Sequence, residues 1–141
     1  MIAELLGLAG LVKNNRPLSR TEQLIRDGSD TYEYTNAAII AAAAVVWLDV
    51  AALFPQSRIF FPLDSIEVIN NSAQPITLFL NSHTVTETVP SYMIKPINGK
   101  AVRQFGLRND GLVDIAAGEI IVHLKRLPPD VQVVVTGGTV R

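Results

Sequence analysis

Residues 58–141 break into short β-rich runs, and nearly every run stops at Asn, Gly or Pro. The runs are Arg58–Phe61, Asp64–Asn70, Ile76–Leu80, Thr84–Val89, Ala101–Asn109, Glu119–Arg126 and Val131–Thr136. In Ile66-Glu67-Val68 apolar and polar side chains alternate, the period of a strand with one face buried, and Ile120–Leu124 is an apolar strand that holds His123. Pro62 marks an edge or a bulge. Asn70-Asn71-Ser72, Asp110-Gly111 and Ala117-Gly118 supply turn chemistry. Strands this closely spaced, with no helix between them, predict a mainly β chain: an antiparallel β-sandwich or a jelly-roll-like barrel.

The N-terminal third reads differently. Ile2, Leu5, Leu6, Leu8, Leu11 and Val12 recur at helical spacing, and Pro17 stops the pattern. Ser19 has Gln23 four residues on, one more than a capping box needs, and a short helix over Arg20–Arg26 ends at Asp27-Gly28. Residues 1–30 are therefore expected to form a short N-terminal arm, partly helical or extended, and residues 31–141 the β-sandwich domain. No basic run precedes the first apolar residues, so a signal peptide is not expected. Ala37–Phe54 holds one charge, Asp49, in eighteen residues. It reads as a buried strand over Val45–Val50, as a soluble helix, or as a membrane-contacting segment. The charge and the weakly apolar alanines count against the last.

Composition limits function. With 141 residues the chain has the size of one domain. Twelve basic residues against thirteen acidic ones make no field suited to a phosphate backbone, so no specific nucleic-acid binding is expected. There is no cysteine, hence no disulfide, thiol nucleophile or thiolate metal site. His83 lies in a polar loop, and His123 shares a strand face with Ile121. Neither belongs to a metal-binding spacing, and both read as solvent-facing residues. Asp49, Asp64, Glu67, Glu87, Asp110, Asp114 and Glu119 are scattered, although Glu67 and Glu87 would be neighbours on a suitable sheet. Ser82 beside His83 is adjacency without a nucleophile elbow. Arg103, Arg108, Lys125 and Arg126 are candidates for one basic face. An enzyme, a catalytic residue, a metal and a cofactor are all unexpected.

Two segments 39 residues apart resemble each other. IEVINNSAQPI from Ile66 aligns with FGLRNDGLVDI from Phe105, matching Asn70 to Asn109, Ile76 to Ile115 and Ser72 to Gly111. Each copy is a strand that ends at Asn, turns on small residues and re-enters an apolar strand. Hairpin chemistry reached twice and a duplicated hairpin both account for this.

Apolar residues make up 48% of the chain and mean hydropathy is +0.28, high for a soluble monomer of this size. Much of that surface is expected to be covered by other subunits or by lipid. The candidate interface residues are Leu5, Leu6 and Leu8 in the arm, Trp47, and Val131, Val133 and Val135 on a candidate edge strand. Closed symmetry favours a cyclic homo-oligomer, a trimer or a pentamer.

Asp64–Arg126 also resembles the small β-sandwich virion proteins of bacterial viruses, the head-decoration and minor-capsid class. The resembling residues are DSIEVINNSAQPITLFLN, ETVPSYMIKPINGKAVRQFGLRNDG and DIAAGEIIVHLKR. Val68, Asn70 and Ser72, then Val89-Pro90, Asn109 with Gly111, and Ile115–Val122 carry the pattern. The resemblance implies a non-enzymatic capsid decoration, cement or minor capsid protein, present in the virion and in the host cytoplasm during assembly. It implies other capsid or virion proteins as partners beside sister copies. A carbohydrate-binding β-sandwich and a membrane-associated assembly protein using residues 37–54 are the competing readings.

Overall fold

The computed structural model describes residues 19–128. Helix α1 (Arg20–Asp27) leads into β1 (Tyr32–Thr35) and β2 (Val45–Asp49). A single turn of helix, α2 (Val50–Leu53), and a 3-10 helix (Pro55–Phe60) connect to β3 (Leu63–Asn70). Then follow β4 (Ile76–Leu80), β5 (Thr86–Val89), β6 (Ile94–Val102), β7 (Gln104–Asn109) and β8 (Ile120–Lys125).

The pairing is that of one long hairpin rolled up on itself. β1 pairs with β8, β2 with β7, β3 with β6 and β4 with β5, all antiparallel. Rolling adds the contacts β3–β8 and β4–β7. Two four-stranded sheets result, ordered β1-β8-β3-β6 and β2-β7-β4-β5. This is the strand order of a jelly-roll sandwich, open at the sheet edges and not a closed barrel.

Alternation fills the space between the sheets. Ile66 and Val68 of β3, Ile120, Val122 and Leu124 of β8, Ile76, Leu78 and Leu80 of β4, and Phe105 and Leu107 of β7 are buried. Val46 and Leu48 pack on them from β2, which settles residues 45–49 as a strand, with residues 37–44 as its approach loop. Among the described residues no helix is long and apolar enough to cross a membrane. The edge strands are short or interrupted. β1 and β5 have four residues each, β2 has five, and β6 carries Pro96.

Several elements differ from the sequence expectation. Ser19 does carry a capping box, closed by Glu22 rather than Gln23: the Ser19 hydroxyl accepts from the Glu22 amide and the Glu22 carboxylate from the Ser19 amide. Arg58–Phe61 is not a strand, because Pro55 opens a 3-10 helix whose Ser57 hydroxyl donates to the Phe54 carbonyl at 2.6 Å. Strand β6 is absent from the expectation, masked by Pro96 and Gly99, and it takes Ala101 and Val102 from the run assigned to β7. The four-residue β1 is also new.

The repeat is structural, and its turns are not hairpins. Each copy carries the chain from one sheet to the other, β3 to β4 and β7 to β8. Asn70 and Asn109 are fully buried. In each, Oδ1 accepts the amide two residues on (Ser72, 3.0 Å; Gly111, 2.9 Å). In each, Nδ2 donates to the carbonyl four residues on (Gln74, 2.8 Å; Val113, 2.8 Å). Each amide also reaches a distant loop, Asn70 at the Pro90 carbonyl and Asn109 at the Ile40 carbonyl. The two corners touch: a Cβ on Gly111 would fall 1.8 Å from Gln74 Oε1 and 2.8 Å from its Cβ.

Removing either amide strands several buried backbone groups, each worth about 1–3 kcal/mol. Asn109→Ala is expected to lower the unfolding free energy by about 2–4 kcal/mol, read by urea denaturation. A loss below about 1 kcal/mol would refute the role given to this corner. The Tyr32 hydroxyl is the opposite case, buried with no hydrogen-bond partner among the described residues. Tyr32→Phe is therefore expected to leave stability unchanged or raise it by about 1 kcal/mol in the same assay.

Candidate functional site

Four loops meet at one end of the sandwich: residues 36–44, 71–75, 90–93 and 110–119. Hydrogen bonds tie them together. Ile40 and Ile115 form a two-way backbone bridge, Gly118 donates to Asn36, Asn71 to Glu119, Asp110 to Pro75, and Asn70 to Met93. Asn36 repeats the corner device, its Nδ2 reaching the Ala38 and Ala116 carbonyls and its Oδ1 taking the Ile120 amide. The loops are thus a braced surface.

Large apolar side chains are exposed on that surface, beside the exposed Asp110 and Asp114. Leu112 is 95% exposed, Tyr92 68%, Val113 63%, Ile39 60% and Met93 54%. Residues 36–44, 71–75 and 90–93 contain no charged side chain. The charges of residues 110–119 are Asp110, Asp114 and Glu119, and each is tied back. Asp110 takes Arg108 at 2.6 Å and the Thr77 hydroxyl, Asp114 accepts from the Ala42 amide, and Glu119 from the Ala116 amide. Exposed apolar side chains grouped on the loops of one end make that end the candidate contact surface.

The opposite end receives α1, the 3-10 helix and residues 81–85. Arg126 Nη1 donates to the Phe60 and Phe61 carbonyls, and the Asp64 carboxylate takes the Leu127 amide at 2.7 Å. Asn81 closes the turn between β6 and β7, with Oδ1 accepting the Arg103 and Gln104 amides.

The expected interface residues divide. Trp47 lies on the outer face of the second sheet, away from the four loops. Leu5, Leu6, Leu8, Val131, Val133 and Val135 fall outside the described residues. The basic residues do not share a face. Arg108 lies on the outer face of the second sheet with its guanidinium over Phe79, Lys125 is on the outer face of the first, Arg103 is in a turn and Arg126 is bound to carbonyls. Glu67 and Glu87 are on different sheets. Leu112, Val113, Tyr92, Met93 and Ile39 were not singled out by sequence. For Ile39, Tyr92 and Met93 the available signal is a loop without charge, whereas Leu112 and Val113 lie in a loop with three acidic residues and carry no such signal.

His123 is not an idle strand residue. Cross-strand register sets Glu33 of β1 and Glu67 of β3 on either side of it. Nε2 lies 2.9 Å from Glu33 and Nδ1 3.3 Å from Glu67. The hydrogen bond to Glu33 raises its pKa above 6.5, opposed by partial burial and assisted by Glu67. Among the described residues no cluster of three or more His, Cys, Asp or Glu is arranged to hold a metal ion. The row is a charge ladder across three strands. Compared with protein-family models, curated proteins and solved structures, the chain matches none.

Because the folded state raises this pKa, the ladder stabilises fully below pH 6.5, and that stability fades as pH climbs through the raised value. In an NMR titration of the two histidines, His123 is expected to titrate above 6.5 and to fall back in Glu33→Gln. A His123 midpoint at or below 6.5 would contradict the ladder.

Proposed function

We propose that this protein is a structural component of a virus particle, a capsid decoration, cement or minor capsid protein that works by assembly. The observation that carries the reading is the braced loop end, three of its four loops without a charged residue, with its five exposed large apolar side chains. Holding them in water is unfavourable by about 25 cal/mol per Å² of apolar surface, and association recovers that free energy. The occupant we assign to this end is sister copies of the chain, grouped as a closed trimer or pentamer. Other shell proteins contact the resulting ring.

Three further considerations support the reading. Jelly-roll sandwiches serve widely as capsid building blocks, a support by analogy of fold. The likeness of Asp64–Arg126 to head-decoration and minor-capsid proteins points the same way. The described edge strands are short or carry proline, so the loops are better placed than the edges to make the main contact. Such a protein would reside in the virion, and in the host cytoplasm while particles assemble.

Size-exclusion chromatography with light scattering tests this. The wild-type chain is expected at three or five times its 15.3 kDa mass. Leu112→Asp with Val113→Asp, at residues that leave the core untouched, is expected to return the protein to monomer with its unfolding midpoint preserved. A wild-type chain that stays at 15.3 kDa over the accessible concentration range would overturn the reading.

A further inference from the structure

The outer face of the second sheet carries a feature that lies away from the four loops. Trp47 and Gly106 are register partners on β2 and β7. A Cβ on Gly106 would sit 3.0, 3.1 and 3.2 Å from Cε2, Cδ2 and Cε3 of Trp47. Near-equal distances to three ring atoms mean that the indole lies flat on the glycine. A Cβ there would crowd the ring by a few tenths of an ångström, so glycine suits the contact. Phe79 stacks beside the indole at 5.7 Å and 29°, and His83 meets it edge-on at 4.7 Å. Trp47 stays partly exposed to solvent.

Beside it opens a cleft of about 390 Å³, lined by Trp47, Asn81, Ser82, His83 and Gln104. Its polar groups are held from behind. Asn81 Nδ2 donates to the Ala101 carbonyl at 2.8 Å, and Gln104 Nε2 to the Asn81 carbonyl at 2.7 Å. The Ser82 hydroxyl is linked to Thr84 at 2.8 Å. That leaves the Gln104 amide oxygen to accept. The His83 ring nitrogens make no hydrogen bond with a described residue. No Lys, Arg, Asp or Glu lines the cleft.

We propose that this cleft binds an uncharged pyranose residue of a glycan. One face of a pyranose presents C–H groups of slight positive charge, which complement the negative face of an indole. Its edge presents hydroxyls that both donate and accept, matching an amide oxygen, a hydroxyl and an imidazole. An anionic ligand would find no cation among the lining residues, and a flat apolar ligand would leave the amide unpaired. The volume falls within the usual range for small-molecule sites. The cleft is at the end opposite the four loops, so a subunit seated by those loops would keep it open to solvent. The inference does not depend on the assembly reading.

Trp47 is the only tryptophan, so its fluorescence reports on the cleft alone. The full chain is screened on an array of neutral glycans. The strongest binder is then titrated with fluorescence as readout, and the protection of Trp47 from acrylamide is measured. The expected result is a saturable emission change with reduced quenching. Gln104→Ala should weaken binding at least about tenfold while the unfolding midpoint holds, and Trp47→Ala should abolish the array signal. No array signal above background, or binding that survives Gln104→Ala and Trp47→Ala undiminished, overturns the proposal. Neither result bears on oligomer mass, which tests the loop end separately.

Discussion

A chain that leaves one sheet to enter the other must take its backbone polar groups around a corner where no ladder can pair them. Everything else here depends on how that is done. Asn36, Asn70, Asn81 and Asn109 each end a strand, and each turns its side-chain amide onto the backbone of a neighbouring segment. An asparagine amide offers a donor and an acceptor at once, so it replaces the ladder bond in both senses. With these corner groups paired, two sheets close over Phe105, Leu78 and Ile66.

The same corners explain the exposed apolar end. Three of the four asparagines, at positions 36, 70 and 109, sit beneath the loops that carry Ile39, Tyr92, Met93, Leu112 and Val113. Their amides hold those loops in place, so the apolar side chains cannot fold back into the core. An exposed side chain on a fixed support loses little further entropy on docking. The two ends of the sandwich therefore differ: one is braced and carries exposed apolar side chains, and the other carries α1, the 3-10 helix and the cleft beside Trp47.

What could be read from sequence followed the range of the interactions. The Asn70 and Asn109 corners were visible because the main bonds span two and four residues, so both copies kept the same spacing. Asn36 and Asn81 were invisible, since their partners are 84 residues away at Ile120 and 22 residues away at Arg103. Strands β3, β4 and β8 announced themselves through buried, β-branched runs. Strand β6 did not, because Pro96 and Gly99 suit an edge that only β3 supports. The cleft joins residues 47, 81–83 and 104, which come together only after the sheet forms. The apolar excess was legible in composition, whereas its place at one end needed the fold.

Hydrogen–deuterium exchange measured across a dilution series tests the central claim most directly. Backbone amides of residues 36–44, 90–93 and 110–119 should exchange more slowly as concentration rises and copies meet, while residues 81–85 exchange at one rate throughout. Uniform exchange of these three loops at every concentration would contradict the account.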